Sequence, residues 1–301
     1  MGVSRPTFAE RLGALGPPII GLGTAALGRP AYITSGHDVD LGTDRSVDGL
    51  ERNAHAVFDR AYESGIRYFD TARSYGFGER FVARWLDDRG HDDCVVASKW
   101  GYRYVGDWRL DAEVHEVKDH SLDAFRRQLV ETRELLGDRL DLYQVHSVTP
   151  TSPVLGDGPL IDALHELRDG GVAIGISTSG PHQADVIDTA LASPLPLDAV
   201  QVTWNPLEPS AGPALQRAAD AGVAVIVKEA MANGRLLDEG ADDVAVLSAA
   251  LRQPFTDVVL SGAANVEQVT SNLRAPDTQP MRAEPVEPER YWRERSERAW
   301  R

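Results

Sequence analysis

The feature that most constrains this chain is a regular alternation of short apolar, β-branched segments with longer amphipathic ones. Eight segments have the length and composition of buried strands, at 19–23, 68–70, 94–99, 140–146, 173–178, 199–205, 224–229 and 257–262. Helical patterns separate them, at 47–64, 79–89, 121–136, 160–169, 182–191, 210–221, 242–253 and 266–273. Strands that alternate with helices pair in parallel through right-handed crossovers. Eight such units predict a (β/α)8 barrel.

The length of 301 residues suits one barrel of this kind with extensions. No linker or shift in composition divides the sequence, so we expect a single domain over 1–301, with a core at about 15–274 and a tail at 275–301. Segments 28–46 and 101–120 each follow a strand. Loops in this position lie over the catalytic face of a barrel, so both are expected to wall a pocket. Interleaved charges in 287–301 predict a helix in the tail.

Composition excludes several classes of partner. The formal charge of −15, from 31 basic and 46 acidic residues, argues against nucleic acid and against anionic membranes. No leader or apolar run of spanning length is evident, so a cytoplasmic protein is expected. The single cysteine, Cys94, excludes an internal disulfide and a cysteine-based zinc site, and no histidine motif suggests a metal. The oligomeric state stays open.

Polar residues end three consecutive predicted strands. Asp70, Lys99 and His146 occupy these ends, and Tyr75 follows Asp70 in the next loop. Barrel geometry carries all of them to one rim. A charged lysine beside a phenol lowers its pKa, and a histidine can hydrogen-bond a substrate oxygen. The set suits proton transfer at an oxygen bound to carbon while a hydride moves, which implies a nicotinamide cofactor because no side chain supplies hydride.

Each of these residues also has a structural explanation when taken alone. Asp70 could cap a helix or form a turn, and Lys99 could be a solvated strand end. His146 could be a satisfied polar group, and Tyr75 a surface ring. Their joint placement on consecutive strand ends favours the catalytic interpretation.

Several motifs together make the chain resemble the aldo-keto reductase superfamily over about residues 15–300. They are Asp-Thr-Ala-x-x-Tyr-Gly at 70–76, Ser-Lys-Trp at 98–100, Asp-Leu-Tyr-Gln-Val-His at 141–146, Gly-Ile-Ser at 175–177, Gln-Val-Thr-Trp-Asn at 201–205 and the segment 268–272. The resemblance implies a (β/α)8 barrel with NADP(H) bound across the carboxyl ends of the strands. It also implies reduction of an aldehyde or ketone, with Tyr75 as proton donor, Lys99 as its activating cation, Asp70 as the partner of that lysine and His146 as the residue that orients the carbonyl.

The same resemblance assigns residues to the cofactor. Ser177 and Gln201 match positions that hold the nicotinamide carboxamide, and Asn272 matches a contact to adenine. Thr178 replaces the asparagine usual after the serine, which weakens one expected contact. Lys228 replaces an aromatic ring that normally stacks on the nicotinamide. Its ammonium could bond cofactor or substrate oxygens, pair with the next residue, or be a structural strand end.

The predicted phosphate site lacks charge. Gly262 and Gln268 stand where relatives that prefer NADPH often carry lysine and arginine, so a weaker preference for NADPH is expected. Arg274 or Arg235 could compensate. NADP(H) therefore remains the expected cofactor, with NAD(H) open.

Aromatic residues are concentrated in segments that face the predicted mouth. Those expected to line a substrate pocket are Tyr32, Trp100, Trp108 and Trp204. A sugar or an aromatic aldehyde would suit such a pocket, although each ring alone could equally be packing. Two alternatives to carbonyl reduction stay open: an NAD(P)+-dependent aldose dehydrogenase, and a nucleotide-sensing binding protein of the potassium-channel β-subunit type.

Overall fold

The structure is a computed structural model that describes residues 6–34 and 40–300; positions 35–39 of the predicted loop 28–46 lie outside the described residues. Ten strands are present in this part of the chain: β1 Ile19–Gly23, β2 Tyr68–Asp70, β3 Val95–Trp100, β4 Tyr102–Tyr104, β5 Glu116–Lys118, β6 Leu140–Val148, β7 Ala173–Thr178, β8 Ala199–Thr203, β9 Ala224–Lys228 and β10 Val258–Ser261. Eight of them close into a parallel barrel in the order β1, β10, β9, β8, β7, β6, β3, β2. The predicted (β/α)8 barrel is confirmed.

The described helices are α1 Phe8–Ala14, α2 Val47–Glu63, α3 Gly78–Arg89, α4 Leu122–Leu136, α5 Gly158–Asp169, α6 Gln183–Ala192, α7 Gly212–Asp220, α8 Arg235–Asp238, α9 Asp243–Leu251, α10 Val266–Asn272 and α11 Pro288–Ser296. Side-chain caps explain several of their starts: the Ser46 and Ser121 hydroxyls each accept a backbone N–H from the first turn of α2 and α4. Boundaries of the predicted barrel elements differ from the observed ones by at most two residues.

The amino end of the barrel is closed by α1, which sequence patterning did not predict. Phe8 and Leu12 of α1 share an apolar cluster with Val95, Leu142 and Ile226 of the strands. A capping box between Thr7 and Glu10 starts this helix. Since one end is filled by packed side chains, the carboxyl end is the open face.

Two segments at that face differ from expectation. The loop 101–120 contains the antiparallel hairpin β4–β5. The tail helix α11 covers only part of the predicted 287–301, and its Tyr291 and Trp292 pack against Leu207 and Leu236. Beyond α11 the described chain runs back to the barrel mouth at Trp300. None of the helices in residues 6–34 and 40–300 is long and apolar enough to cross a membrane.

Candidate active site

Parallel pairing brings the polar strand ends together. Asp70 pairs with Ala97 between β2 and β3, and Lys99 pairs with Gln144 between β3 and β6. His146 follows two residues further along β6. Asp70 and Lys99 are buried, with 2% and 0% of their surface exposed. Register therefore places three polar side chains at one end of the barrel.

An ion pair forms the base of the site. Lys99 Nζ donates to Asp70 Oδ1 and, at 3.0 Å, to the carbonyl oxygen of Thr71. Gln201 Nε2 donates to the second oxygen, Asp70 Oδ2, at 2.8 Å, and Gln144 Nε2 lies 3.4 Å from the same atom. The carboxylate thus receives donors from β3, β6 and β8, which offsets the cost of burying its charge.

Tyr75 returns over this pair from the loop between β2 and α3. Its ring centroid lies 4.8 Å from Lys99 Nζ and 5.5 Å from the His146 ring, which it meets edge to face. Burial and the Asp70 carboxylate raise the pKa of Tyr75 well above its usual value, with Arg29 opposing them. The net shift is opposite to the lowering expected from sequence, because burial is the largest effect. The phenol consequently keeps its proton at neutral pH.

His146 is held as a neutral imidazole. Its Nδ1 lies 3.4 Å from Ser74 Oγ, and its carbonyl oxygen accepts a hydrogen bond from His120 Nε2 at 2.8 Å. Burial, followed by the charges of Lys99, Lys228 and Arg29, lowers the pKa of His146 well below its usual value. No hydrogen bond to the described residues occupies Nε2. This nitrogen is free to contact a ligand.

A cavity of about 680 Å³ opens above these groups. At one end its wall includes Tyr75, His146, Tyr102 and Lys228; at the other it includes Gly262, Gln268, Asn272, Asp40 and Asp243. A methyl group added at Gly262 would meet nothing within 4 Å, so the main chain there borders open space.

Lys228 belongs to a charged cluster on the cavity wall. Lys228 Nζ donates to Thr203 Oγ1 at 2.7 Å and lies 3.6 Å from Glu229 Oε1. Glu229 is also held by Arg295 of α11, whose Nε donates to Oε2 at 2.8 Å. Burial lowers the pKa of Lys228 to about 8. Burial alone would raise the pKa of Glu229, but Arg295 and Lys228 lower it to about 2.

The backbone is strained at two positions on the cavity wall. Glu229 has a φ of 54°, in the left-handed region, and its carbonyl oxygen accepts a bond from Asn205 Nδ2 at 3.1 Å. Ser147, directly after His146, has a φ of 56°, and its N–H donates to Ser177 Oγ at 2.7 Å. Such backbone is retained where the surrounding structure imposes it, often at functional sites.

The mouth is walled by residues that sequence reasoning missed. Arg29 pairs with Glu116 at 2.8 Å, and its guanidinium carbon lies 4.7 Å from the Trp300 ring. Trp300 stacks on His115 with ring centroids 4.3 Å apart. Tyr32, expected to line the pocket, does so. No local motif marks Arg29 or Trp300, because they meet only after the tail crosses the barrel.

Three tryptophans lie elsewhere, which corrects the predicted pocket. Trp100 is fully buried against Phe125 of α4, with ring centroids 5.1 Å apart. Trp108 donates its ring N–H to the carbonyl of Arg45. Trp204 packs against Phe255. None of the three lines the cavity, because each ring finds its apolar partners on the outer side of the barrel wall or beneath the loops.

The expected cofactor residues divide into two groups. Those on the cavity wall are Gln201, Lys228, Gly262, Gln268 and Asn272. Ser177 and Thr178 are fully buried outside it. The Thr178 hydroxyl donates to Gln183 Oε1 at 3.3 Å, and Ser177 is engaged by Ser147. The expectation for these two is corrected: Ser179, next in the chain, reaches the wall instead.

Asn272 and Gln268 have their own protein partners. The Asn272 amide oxygen accepts from Ser261 Oγ at 2.7 Å while its nitrogen donates to Asp243 Oδ2 at 3.2 Å. Gln268 Oε1 accepts the Ala264 N–H at 2.8 Å. Within residues 6–34 and 40–300, no group of three or more histidine, cysteine, aspartate or glutamate side chains could hold a metal ion.

The parallel barrel carries a buried lysine–aspartate pair, a protonated phenol and a neutral imidazole beneath one cavity. This combination of side chains is suited to proton transfer at the carboxyl end of the strands. Comparison with known protein families identifies the family to which the chain belongs. The Aldo/keto reductase family model matches residues 20–252. This chain belongs to that family of oxidoreductases, as its motifs indicated.

Individual relatives agree with this assignment. The chain is 32% identical to D-threo-aldose 1-dehydrogenase of Pseudomonas sp over 143 residues, which cover 42% of this chain and 44% of that protein. It is 27% identical to the oxidoreductase YqkF of Bacillus subtilis over 278 residues, 79% of this chain and 87% of that one. The holo form of aldo-keto reductase AKR11C1 from Bacillus halodurans shares the fold, with a TM-score of 0.65 and 24% identity over 92% of this chain and 91% of its own.

Proposed function

We propose that this protein is an NAD(P)(H)-dependent oxidoreductase that interconverts an aldehyde or ketone and its alcohol. The observation that carries the proposal is the position of the Tyr75 phenol. It lies beside His146 on the wall of the cavity and above the buried pair of Lys99 and Asp70.

Each side chain has a part that its environment supports. The neutral His146 imidazole donates a hydrogen bond from Nε2 to the substrate oxygen. Tyr75, protonated at neutral pH, transfers its proton to that oxygen as negative charge develops there. Lys99 then stabilises the phenolate, and the bonds to Asp70 fix the lysine. Hydrogen bonds aimed at the developing alkoxide contribute on the order of 3 kcal/mol to lowering the barrier.

The cavity fits a dinucleotide. It extends from Tyr75 and His146 to Gly262 and Asn272, and the main chain at Gly262 borders open space. Gln201, Gln268 and Asn272 are the wall residues that would hold the cofactor, and Lys228 lines the same cavity beside the reacting groups. A bound nicotinamide dinucleotide supplies or accepts the hydride.

Negative charge near Gly262 and Gln268, at the end of the cavity away from Tyr75, argues against binding of the 2′-phosphate of NADPH. Asp40, Asp242 and Asp243 line this end together with uncharged Gly262 and Gln268. Arg235 is engaged by Glu239 and Glu294, and Arg274 by Ser271. Neither of these arginines lines the cavity. We infer that NADH is used at least as well as NADPH, since the three aspartates receive hydrogen bonds but form no ion pair with a cation of the described residues, and so repel a phosphate.

A second candidate is oxidation of an aldose. It is favoured by the likeness to D-threo-aldose 1-dehydrogenase and by the uncharged Gly262 and Gln268 on the cavity wall, where relatives that prefer NADPH often carry lysine and arginine. In this direction Tyr75 must first release its proton to solvent, and the phenolate beside Lys99 then accepts the proton of the sugar hydroxyl. Both reactions use the same side chains.

The experiment follows absorbance of NADH and NADPH with aromatic aldehydes, dicarbonyls and aldoses, and of NAD+ and NADP+ with aldoses. Carbonyl-dependent oxidation of either reduced cofactor supports the reductase. Turnover confined to aldoses with an oxidised cofactor supports the second candidate. Cofactor binding without turnover in either direction contradicts both and favours a nucleotide-sensing binding protein.

A further inference from the structure

We propose that the substrate carries a carboxylate, bound at the cavity wall by the ammonium group of Lys228. This inference rests on the proposed function, because it concerns the substrate of that site. It gives a role to a lysine that no step of the proposed proton transfer uses.

Pairing of charges at the catalytic end leaves one positive charge uncompensated. Lys99 pairs with Asp70 and Arg29 pairs with Glu116. Lys228 and Arg295 share the single carboxylate of Glu229. Among these four cations and three carboxylates of the described residues, one positive charge is therefore in excess beside the reacting groups, in a protein whose formal charge is −15.

Arg295 takes the larger share of Glu229. Its Nε and Nη2 donate to the two carboxylate oxygens, whereas Lys228 Nζ lies 3.6 Å from Oε1. An ammonium group has three N–H donors. Thr203 Oγ1 receives one of them at 2.7 Å and Glu229 is the other nearby acceptor. One donor is thus left for a ligand.

Lys228 is accessible and close to the reacting groups. Its side chain is 16% exposed, and it lines the same cavity as Tyr75 and His146. Its charge acts on the His146 imidazole and on Lys99. A substrate with its carbonyl at His146 can therefore extend an anionic group to Lys228.

A monoanion suits this site better than a phosphate monoester. A carboxylate matches the single surplus charge, while a phosphate monoester carries about −1.5 to −2 at neutral pH and would leave excess negative charge in a partly buried place.

The test compares 4-carboxybenzaldehyde with its methyl ester, which has the same ring and no charge. We expect wild-type protein to show a higher kcat/KM for the acid. Lys228→Met should reduce the ratio of acid to ester by about tenfold or more, and Lys228→Arg should restore part of it. The ratio is the readout because any general loss of cofactor binding affects both substrates.

Lys118→Met is the matched control. Lys118 donates to the carbonyl of Ser147 at 2.7 Å, near the mouth, but does not line the cavity. The same change of charge there should alter the ratio by less than about twofold. An equal loss on acid and ester in Lys228→Met would overturn the proposal, as would a wild-type ratio near unity.

Calorimetry separates this inference from the proposed function. Titration of 4-(hydroxymethyl)benzoate and of its methyl ester into wild-type and Lys228→Met protein, with NADH present, measures anion binding without turnover. Tighter binding of the acid that Lys228→Met removes would support the anion site even if no carbonyl is reduced. Equal binding of acid and ester would reject it.

Discussion

The two ends of the cavity are built in opposite ways. At the catalytic end, charged groups are buried and paired across strands, as Lys99 with Asp70 is. At the far end, Asp242 and Asp243 lie at the start of α9 and Asp40 lies just before a turn; all three are partly or fully exposed, and positions 262 and 268 are glycine and glutamine.

Because of this difference, we expect the catalytic end to determine the rate of the reaction and the far end to determine the preference between NADH and NADPH. Strand ends locked by barrel register hold side chains to the precision that proton transfer needs. Partly exposed positions outside the barrel strands tolerate changes of charge at little cost to the fold. The catalytic end should therefore respond to substitution with large losses, and the far end with changes of preference.

Tyr75→Phe should have the largest effect at the catalytic end. Only the transferable proton is lost, so kcat should fall by about 10²- to 10⁴-fold while fluorescence titration shows unchanged affinity for NADH. Tyr102→Phe, which removes another phenol from the cavity wall, should cost less than about tenfold. Equal losses in both variants would refute the role of Tyr75.

Lys99→Met should destabilise the fold as well as the reaction. It leaves the Asp70 carboxylate buried without its cation, and we expect the free energy of unfolding to fall by about 3–5 kcal/mol, measured by urea denaturation. Adding Asp70→Asn should recover much of this stability. If the single variant is as stable as wild type, the buried pair is not what holds this end together.

Gln268→Arg probes the far end, where we expect altered preference and preserved chemistry. A new guanidinium should raise the ratio of kcat/KM for NADPH over NADH by roughly tenfold. Gln268→Met is the control, because it also loses the bond to the Ala264 N–H and adds no charge. A ratio that moves equally in both variants would show that another residue reads the phosphate.

The smallest effect expected is on pH dependence. The groups around Lys228 are Glu229, Thr203, Arg295, Lys99 and, at 5.9 Å, the Trp292 ring. With its pKa lowered to about 8, the ammonium is charged below that pH and loses its charge above it. Preference for 4-carboxybenzaldehyde over the ester should therefore decline as pH rises through about 8 and stay level below it.

Two neighbouring groups, Tyr75 and His146, do not change protonation state near pH 8. Tyr75 keeps its proton because its pKa is raised, and His146 stays neutral because its pKa is lowered. A preference for the acid that stays constant from pH 7 to 10 would assign it to Arg295 rather than Lys228.

Sequence alone determined the barrel and the position of its polar strand ends. Periods of two and 3.6 residues reflect burial on strand and helix faces, so elements long enough to show the period were predicted to within two residues. α1 and the hairpin β4–β5 were missed, because they lie outside the alternation of barrel strands and helices on which the prediction was based. Asp70, Lys99 and His146 end consecutive strands, and parallel register brings such ends together.

Only the tertiary structure decided which side chains line the cavity. Trp100 and Thr178 were expected there and point into the packed wall, whereas Arg29, Glu116, Arg295 and Trp300 reach it from loops and the tail. The direction of the Tyr75 pKa shift also required burial to be known. Local patterns indicate which residues share a helix or a strand. Contacts between segments distant in sequence depend instead on tertiary packing. The excess positive charge near Lys228 results from such packing, because it brings Arg295 of the tail to Glu229.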